Sequence, residues 1–257
     1  LRRFNWISGP QNKSCDTGSI QSARSLDFVT PTLSAAAAES DDHNEQQPLE
    51  EDAMSAMVDN PEEYFRQFVP ARDALLAELE QEALQEEIPI IGPVVGELLN
   101  LLVQVTCSEK ILELGTATGY SGIYLARALT RSNGRLVTIE NDADKASRAD
   151  ANFKRAGVEQ LVEIIVGEAL EELAKMDEEF DLIFIDVEKE FYAGALQHCR
   201  RLLKRGGMLV ADNVGFKDAD PFNRIIFASQ EWKSVNLLAF LPLHSPEKDG
   251  LCLALRL

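Results

Sequence analysis

The stretch Lys110-Ile-Leu-Glu-Leu-Gly-Thr-Ala-Thr-Gly-Tyr-Ser121 constrains the chain more than any other. An apolar run ends in two glycines and a serine, and a helical pattern follows. Lys110 to Leu114 reads as the first strand of an α/β sheet and Ser121 to Leu129 as the helix it feeds. Gly115 and Gly119 fall in the turn between them, where a missing Cβ permits positive φ and lets backbone approach a ligand. Such a turn suits a nucleotide-like cofactor.

Spacing narrows the cofactor. A dinucleotide fingerprint needs glycines at its first, third and sixth positions, and counting from Gly115 those places hold Gly115, Ala117 and Tyr120. This disfavours a nicotinamide-dependent dehydrogenase. Glu113 before the first glycine, and Glu140 closing a second strand that starts at Arg135, fit a cofactor without phosphates. S-adenosylmethionine (SAM) is one, because a carboxylate at that strand end can accept both ribose hydroxyls.

Beyond the turn, strand and helix alternate. Strands are expected at Arg135 to Ile139, Val162 to Val166, Asp181 to Ile185 and Gly207 to Ala211, with helices at Asp142 to Ala156, Glu168 to Met176 and Lys189 to Lys204. This rhythm predicts a doubly wound, Rossmann-like α/β sheet, mostly parallel, with right-handed crossovers. Ser234 to Leu241 and Gly250 to Leu257 are two apolar runs around a Pro- and Gly-containing loop, and read as a C-terminal antiparallel hairpin. Upstream, Asn60-Pro61 is a helix start, and Tyr64, Phe68, Leu75, Leu79 and Ala83 form one apolar stripe. Pro89 and Pro93 interrupt the pattern before Val94 to Val105 resumes it. Residues 56–257 are thus one domain, with a helical N-terminal cover over 60–106 and a sheet core over 107–257.

Residues 1–55 differ. The first 38 carry Arg2, Arg3, Lys13 and Arg24 against only Asp16 and Asp27, the composition of a transit segment or a disordered tail, and Glu39 to Asp52 is an acidic linker. The expected location is cytoplasmic, or chloroplast or mitochondrion if that segment is a transit peptide. A net charge of -18 makes nucleic acid and anionic membrane poor partners, and no apolar run approaches the roughly 20 residues that span a bilayer. The four cysteines lack a CxxC pair, and His43, His198 and His244 are too dispersed for a ligand cluster and read as surface residues.

Ligands of open α/β sheets bind beyond the carboxyl ends of the strands. Asp186 follows the fourth strand, and Asp212 and Asn213 follow the fifth. Together they make a hard-oxygen set appropriate to Mg²⁺ or Ca²⁺. About six oxygens surround Mg²⁺, so three from the protein leave room for two vicinal hydroxyls and a water.

Glu113-Leu-Gly-Thr-Ala-Thr-Gly-Tyr-Ser121, Glu140, Gly167-Glu-Ala169, Phe180 to Tyr192 and Ala211-Asp-Asn213 together resemble the cation-dependent O-methyltransferases, the group containing the caffeoyl-CoA and catechol enzymes. The resemblance runs from about Pro89 to Leu257, with its motifs in family order. It implies SAM as donor, a divalent cation usually taken as Mg²⁺, a vicinal dihydroxy aromatic acceptor of catechol or caffeoyl type, and often a homodimer. Asp186, Asp212 and Asn213 match the metal ligands. Lys189 matches the catalytic lysine, acting beside Asp186. Glu113, Gly115, Ser121, Glu140 and Ala169 match cofactor contacts, and Tyr120 and Asp186 join that set. Lys189 can take the acceptor's proton if the adjacent metal and sulfonium charges depress its pKa. Tyr120, Phe191, Phe216 and Trp232 are candidates for dry walls around the transfer. The chain departs from the family in reading Asp186-Val-Glu-Lys189, and in a short loop between Asn213 and the Asp218-Ala-Asp220 cap of the next helix. Two other readings are methylation of a hydroxylated tRNA base, against which the acidic balance speaks, and a non-catalytic SAM-binding module, which would be marked by a lost ligand or lysine.

Overall fold

The computed structural model describes residues 57–257, so the N-terminal extension and acidic linker expected over 1–55 lie outside it. Fifteen regular elements follow one another. Three helices lead: α1 (Pro61–Arg66), α2 (Ala74–Glu86) and α3 (Gly92–Val105). Then come β1 (Lys110–Leu114), α4 (Tyr120–Leu129), β2 (Arg135–Glu140), α5 (Ala143–Ala156), β3 (Val162–Val166), α6 (Ala169–Lys175), β4 (Phe180–Ile185), α7 (Tyr192–Leu202) and β5 (Leu203–Ala211). The chain ends with α8 (Asp220–Ala228), β6 (Trp232–Phe240) and β7 (Lys248–Arg256). The seven strands lie in the order β3-β2-β1-β4-β5-β7-β6. The first five are parallel, and β7 runs antiparallel between β5 and β6, as the expected mixed sheet requires.

The order reverses at β1, between β2 and β4, which puts the ends of β1, β2 and β4 at the topological switch point. Side chains alternate across the sheet with the strand period of two. Ile111, Leu136, Leu182, Phe184 and Val210 pack on one face with α3, α4 and Phe153 of α5. Leu112, Leu114, Val137, Ile139, Ile183 and Ile185 pack on the other, with Leu173 of α6, Ala195 and Cys199 of α7, and Phe222 of α8. Burial on both faces explains why these strands read as near-continuous apolar runs.

Several local outcomes differ from the sequence expectation. The stripe from Tyr64 to Ala83 is two helices. Pro70 has no N–H and disfavours helix before it, and the Asp73 carboxylate then caps α2 by accepting from the Leu76 N–H at 3.0 Å. Tyr64 and Phe68 are consequently exposed while Leu79 and Ala83 are buried. Pro93 is a first-turn residue of α3 and so starts that helix rather than interrupting it. Lys189 to Phe191 form a 3₁₀ turn ahead of α7, and β5 begins at Leu203, where the chain leaves α7 directly into extended backbone. The turn before α8 is also 3₁₀, so Asp218 sits within it and Ala219 occupies the cap position.

The N-terminal cover packs on α4. Gly96 is the contact point, since a Cβ there would lie 2.5 Å from the Tyr124 ring, and Asn100 Nδ2 donates to the Tyr124 carbonyl at 3.1 Å. Among the described residues, no helix is long and apolar enough to cross a membrane.

Two glycines with positive φ separate conformational strain from crowding. Gly157 closes α5 at φ +68, and a Cβ added there would meet nothing within 4 Å, whereas Gly115 has φ +95 and its Cβ would lie 2.1 Å from the Asp186 carbonyl oxygen. Gly157→Ala is expected to cost about 1 kcal/mol, the left-handed penalty alone. Gly115→Ala should cost about 3 kcal/mol or more, because the β1 and β4 ends must also separate. Denaturant unfolding of both variants checks this, and equal losses would contradict it.

Candidate active site

The glycine turn after β1 is shaped by its neighbours. Gly115 N–H donates to the Ile139 carbonyl of β2 at 3.0 Å, while its missing Cβ makes room for the Asp186 backbone of β4. The close approach expected of this glycine is therefore made to protein backbone, and positive φ is present as predicted. Gly119 packs against the Phe153 ring and Ala149 of α5. Ala117 takes φ 44 at the apex.

That bend aims the Ala117 N–H at Glu140 Oε2, 2.7 Å away, and the Asp142 N–H reaches Glu140 Oε1 at 3.1 Å. Each carboxylate oxygen keeps an acceptor position after binding one backbone donor. Glu140 can thus accept two further hydroxyls from the cavity. Gly167 N–H donates to the Glu140 carbonyl at 2.9 Å and brings Ala169, the first residue of α6, to the same cavity. Tyr120 lines it too, its hydroxyl donating to Glu80 Oε1 at 2.8 Å, and Glu80 is paired with Arg72 at 3.0 Å. Ser121 completes this side.

Glu113 is elsewhere. It is fully buried, does not line the cavity, and belongs to a chain of hydroxyls: Thr116 donates to Thr138 at 2.6 Å and Thr138 donates to Glu113 Oε2 at 2.6 Å. Among the described residues its Oε1 has no hydrogen-bond partner. Burial raises its pKa to about 7, opposed by Ser121 and Thr138 and reinforced by the charges of Asp186 and Glu140.

The second constellation gathers at the ends of β4 and β5. Asp186 N–H donates to the Leu114 carbonyl at 2.8 Å and Asp212 N–H to the Ile185 carbonyl at 3.0 Å, so strand pairing places both acids. Tyr192, buried at the start of α7, bridges the ends of β4 and β5 by donating to the Asp212 and Ile185 carbonyls at 3.0 and 3.3 Å. Lys189 Nζ lies 3.4 Å from Asp186 Oδ1. Burial, and next the Asp212 charge, push Asp186 up to about 6, against the pull of Lys189 and His244. Asp212 is 1% exposed. Its Oδ2 lies 2.8 Å from His244 Nε2, and its Oδ1 is buried without a partner among the described residues. Asn213, at φ 50, donates its Nδ2 to Asp249 Oδ2 at 2.6 Å.

His244 corrects the sequence reading. It is a buried residue on the β6–β7 connection, and its Nδ1 faces the Pro246 carbonyl at 2.6 Å. A carbonyl only accepts, so Nδ1 carries a proton and Nε2 shares the second with Asp212. Burial opposes that charge, but the Asp212 hydrogen bond and charge prevail, and the imidazole pKa is raised. Both His244 and Asp249 were invisible as site residues in the sequence, because one comes from the β6–β7 loop and the other from the start of β7, far along the chain and with no motif of their own.

Part of each constellation opens onto a cavity of about 640 Å³. Gly115, Tyr120, Ser121, Glu140 and Ala169 line one part of it, and Asp186, Lys189, Phe191 and Phe216 another. Ile88 to Ile91, preceding α3, add an apolar wall. Asp212 and Asn213 are not among the lining residues, nor is Trp232, which is buried at the start of β6 opposite Arg256. Of the aromatic walls expected, Tyr120, Phe191 and Phe216 are in place.

A cation would meet two carboxylates and an amide here. The buried, unpartnered Asp212 Oδ1, and an Asn213 amide whose nitrogen is already committed to Asp249, are the donor oxygens such an ion needs, and two adjacent acids, one buried and one partly buried, favour added positive charge. Among the described residues, no group of three or more His, Cys, Asp or Glu side chains is arranged to hold a metal ion. The candidate set falls outside that description because its third donor is an amide oxygen.

Residues 68–219 match the family model described as O-methyltransferase. The chain belongs to that family. A catechol O-methyltransferase of Niastella koreensis is 44% identical over 148 residues, covering 55% of this chain and 66% of the relative. One of Mycobacterium tuberculosis is 42% identical over 120 residues, covering 46% of this chain and 54% of that one. The chain thus matches between about half and two thirds of the length of these curated relatives. Among solved structures, an O-methyltransferase from Bacillus cereus in complex with SAH superposes with a TM-score of 0.69 at 30% identity, covering 76% of this chain and 96% of the other. The O-methyltransferase TomG from Streptomyces achromogenes, in complex with SAM, gives 0.68 at 30% identity, covering 76% and 95%. The mixed sheet is therefore the Rossmann-like methyltransferase fold.

Glu113 gives this family member a stability that depends on pH. A carboxyl whose folded pKa is raised favours the folded chain while protonated, so its contribution is full below pH 4.5 and is lost as pH rises through about 7. Glu113→Gln cannot ionise. Relative to the parent, it should gain up to about 3 kcal/mol on going from pH 5 to pH 8. Urea unfolding at the two pH values checks this, and a difference that does not change with pH would refute it.

Proposed function

We propose that the protein is a SAM-dependent O-methyltransferase that uses a divalent cation, most simply Mg²⁺, to methylate one hydroxyl of a small vicinal aromatic diol. The observation that carries this reading is the single cavity that joins a glycine turn and Glu140, fit for a ribose, to Asp186 and Lys189 beside the unpartnered Asp212 oxygen. Family membership, and relatives named catechol O-methyltransferase, support the same class.

In this reading Glu140 accepts the ribose hydroxyls through the two positions left by Ala117 and Asp142. Ser121, Tyr120 and Ala169 shape the remainder of the donor pocket. SAM, when bound, supplies an electrophilic methyl group and departs as SAH. Asp186, Asp212 and Asn213 would hold the cation, whose charge lowers the pKa of a chelated hydroxyl from its ordinary value near 10. Lys189 Nζ, in its neutral form, accepts the hydroxyl proton, and the resulting ammonium ion is held by Asp186 Oδ1. Phe216, whose ring centroid is 6.0 Å from that Nζ, and Phe191 flank the acceptor and exclude water from it. Holding acceptor and donor in line supplies several kcal/mol of the barrier reduction.

The test is incubation of the protein with labelled SAM and a panel of catechols, caffeoyl esters and tRNA, with and without chelator. Label is expected in a diol, lost with chelator and restored by Mg²⁺. Full activity in chelator would remove the cation from the mechanism, and label in tRNA alone would replace the acceptor. Lys189→Ala should lower kcat about 100-fold or more while SAH affinity stays within a few-fold. An unaltered kcat would rule out its role as base. Asp212→Ala should abolish cation-stimulated turnover and leave SAH binding in place, which calorimetry reads directly.

A further inference from the structure

The three candidate ligands are not equivalent in how they are held. Asp186 meets Lys189 and lines the cavity, but Asp212 is gripped by His244 of the connection between β6 and β7, and Asn213 by Asp249, the second residue of β7. Asp212 Oδ2 is occupied by His244 Nε2, which leaves Oδ1 as the oxygen available to a ligand. For Asn213 the logic is stricter. Asp249 has bound its Oδ1 to the Gly215 N–H at 3.1 Å and the Gly250 N–H at 2.6 Å, and its Oδ2 lies 2.6 Å from the Asn213 amide. A carboxylate only accepts, so Asn213 must present its NH₂ to Asp249 and turn its carbonyl oxygen the other way. Swapping the two ends of the amide would leave two oxygens in contact.

The connection itself is well anchored. His244 N–H donates to the Leu241 carbonyl at 3.0 Å, Leu241 N–H to the Glu247 carbonyl at 2.7 Å and Ser245 N–H to the Ile90 carbonyl at 3.2 Å. Arg66 pairs with Glu247 through two contacts of 2.7 Å. His244 and Asp249 are 5% and 2% exposed, so their grip on the ligands is shielded from water. Ligand-orienting partners of this kind usually contribute tenfold to a hundredfold in metal affinity.

From this we propose that His244 and Asp249 are positioning residues of the cation site: His244 leaves Asp212 Oδ1, and Asp249 leaves the Asn213 carbonyl oxygen, directed at a divalent ion. The inference rests on the cation reading given under the proposed function. Neither residue touches the reacting atoms.

Mn²⁺ binding to the full chain, followed by loss of the free-ion paramagnetic resonance signal, tests it without recourse to turnover. His244→Ala and Asp249→Ala should each weaken Mn²⁺ tenfold to a hundredfold. His244→Gln, whose amide nitrogen can stand where Nε2 does, should remain within a few-fold of the parent. His244→Asn places its nitrogen near the Nδ1 position, reaches Pro246 and not Asp212, and should fall with the alanine variant. Should an alanine variant fail to fold, this Gln and Asn pair decides. Parent-like affinity in His244→Ala and Asp249→Ala, or equal affinity in the Gln and Asn pair, overturns the proposal while leaving the cation reading intact. A parent that does not bind Mn²⁺ any better than Asp212→Ala overturns the cation reading, and this proposal with it.

Discussion

The arrangement depends on two acids brought together at the ends of adjacent parallel strands, one of them almost wholly out of water. The pairing of Ile185 with Ala211 in the β4–β5 ladder fixes where each strand ends, and the next residue of each is an aspartate. Burial makes this costly, since like charges at low dielectric repel strongly and each loses hydration. Lys189 and His244 partly offset that cost, one on each acid. The unpartnered Asp212 oxygen shows where the offset remains incomplete. A fold under no chemical demand would be expected to fill that place with an apolar side chain or a donor, as it does at Tyr192 immediately beneath.

Much of this was legible in the chain. The glycine turn, strand alternation and terminal hairpin each combine a local signal with a global consequence, and local and global agree. Asp186, Asp212 and Asn213 were legible for the same reason, because the switch-point rule needs only the strand ends and the residues just after each, whereas Lys189 was legible through the family resemblance. What was lost depends on contacts distant in sequence. Gly115 reads as a ligand-facing glycine, yet its requirement comes from the Asp186 carbonyl. His244 and Asp249 lie 32 and 36 residues beyond their partners, the first in a connection whose composition signals only a turn and the second at the start of β7. Glu113 reads as a cofactor contact from its place in the motif, but its side chain projects from the sheet face toward Gly122 of α4 and bonds Thr138 on the neighbouring strand.

The break between α1 and α2 teaches a related lesson. Tyr64, Phe68, Leu75, Leu79 and Ala83 keep helical spacing across Pro70, so periodicity alone could not reveal that the helix stops. Because of the break the aromatic residues of α1 and Phe68 just beyond it pack on one another, with ring centroids of Tyr64 and Phe68 5.0 Å apart, and stay largely outside the core. Apolar spacing reports a helical face only while the backbone can remain helical.

The β6–β7 connection also couples parts that the sequence keeps separate. Its surface ion pair between Arg66 and Glu247 is half exposed on the arginine side and contributes at most about 1 kcal/mol. Its placement must come from elsewhere. Gly92 supplies it: with φ +65, and with a Cβ position only 2.7 Å from the Leu243 carbonyl, the entry to α3 accepts the loop at backbone distance. Ser245 then bonds Ile90, and Ile88 to Ile91 form the apolar wall of the cavity. The loop that bonds Asp212 is therefore braced on the segment that walls the cavity, and a shift of either would be felt by the other through a contact with no side chain to yield.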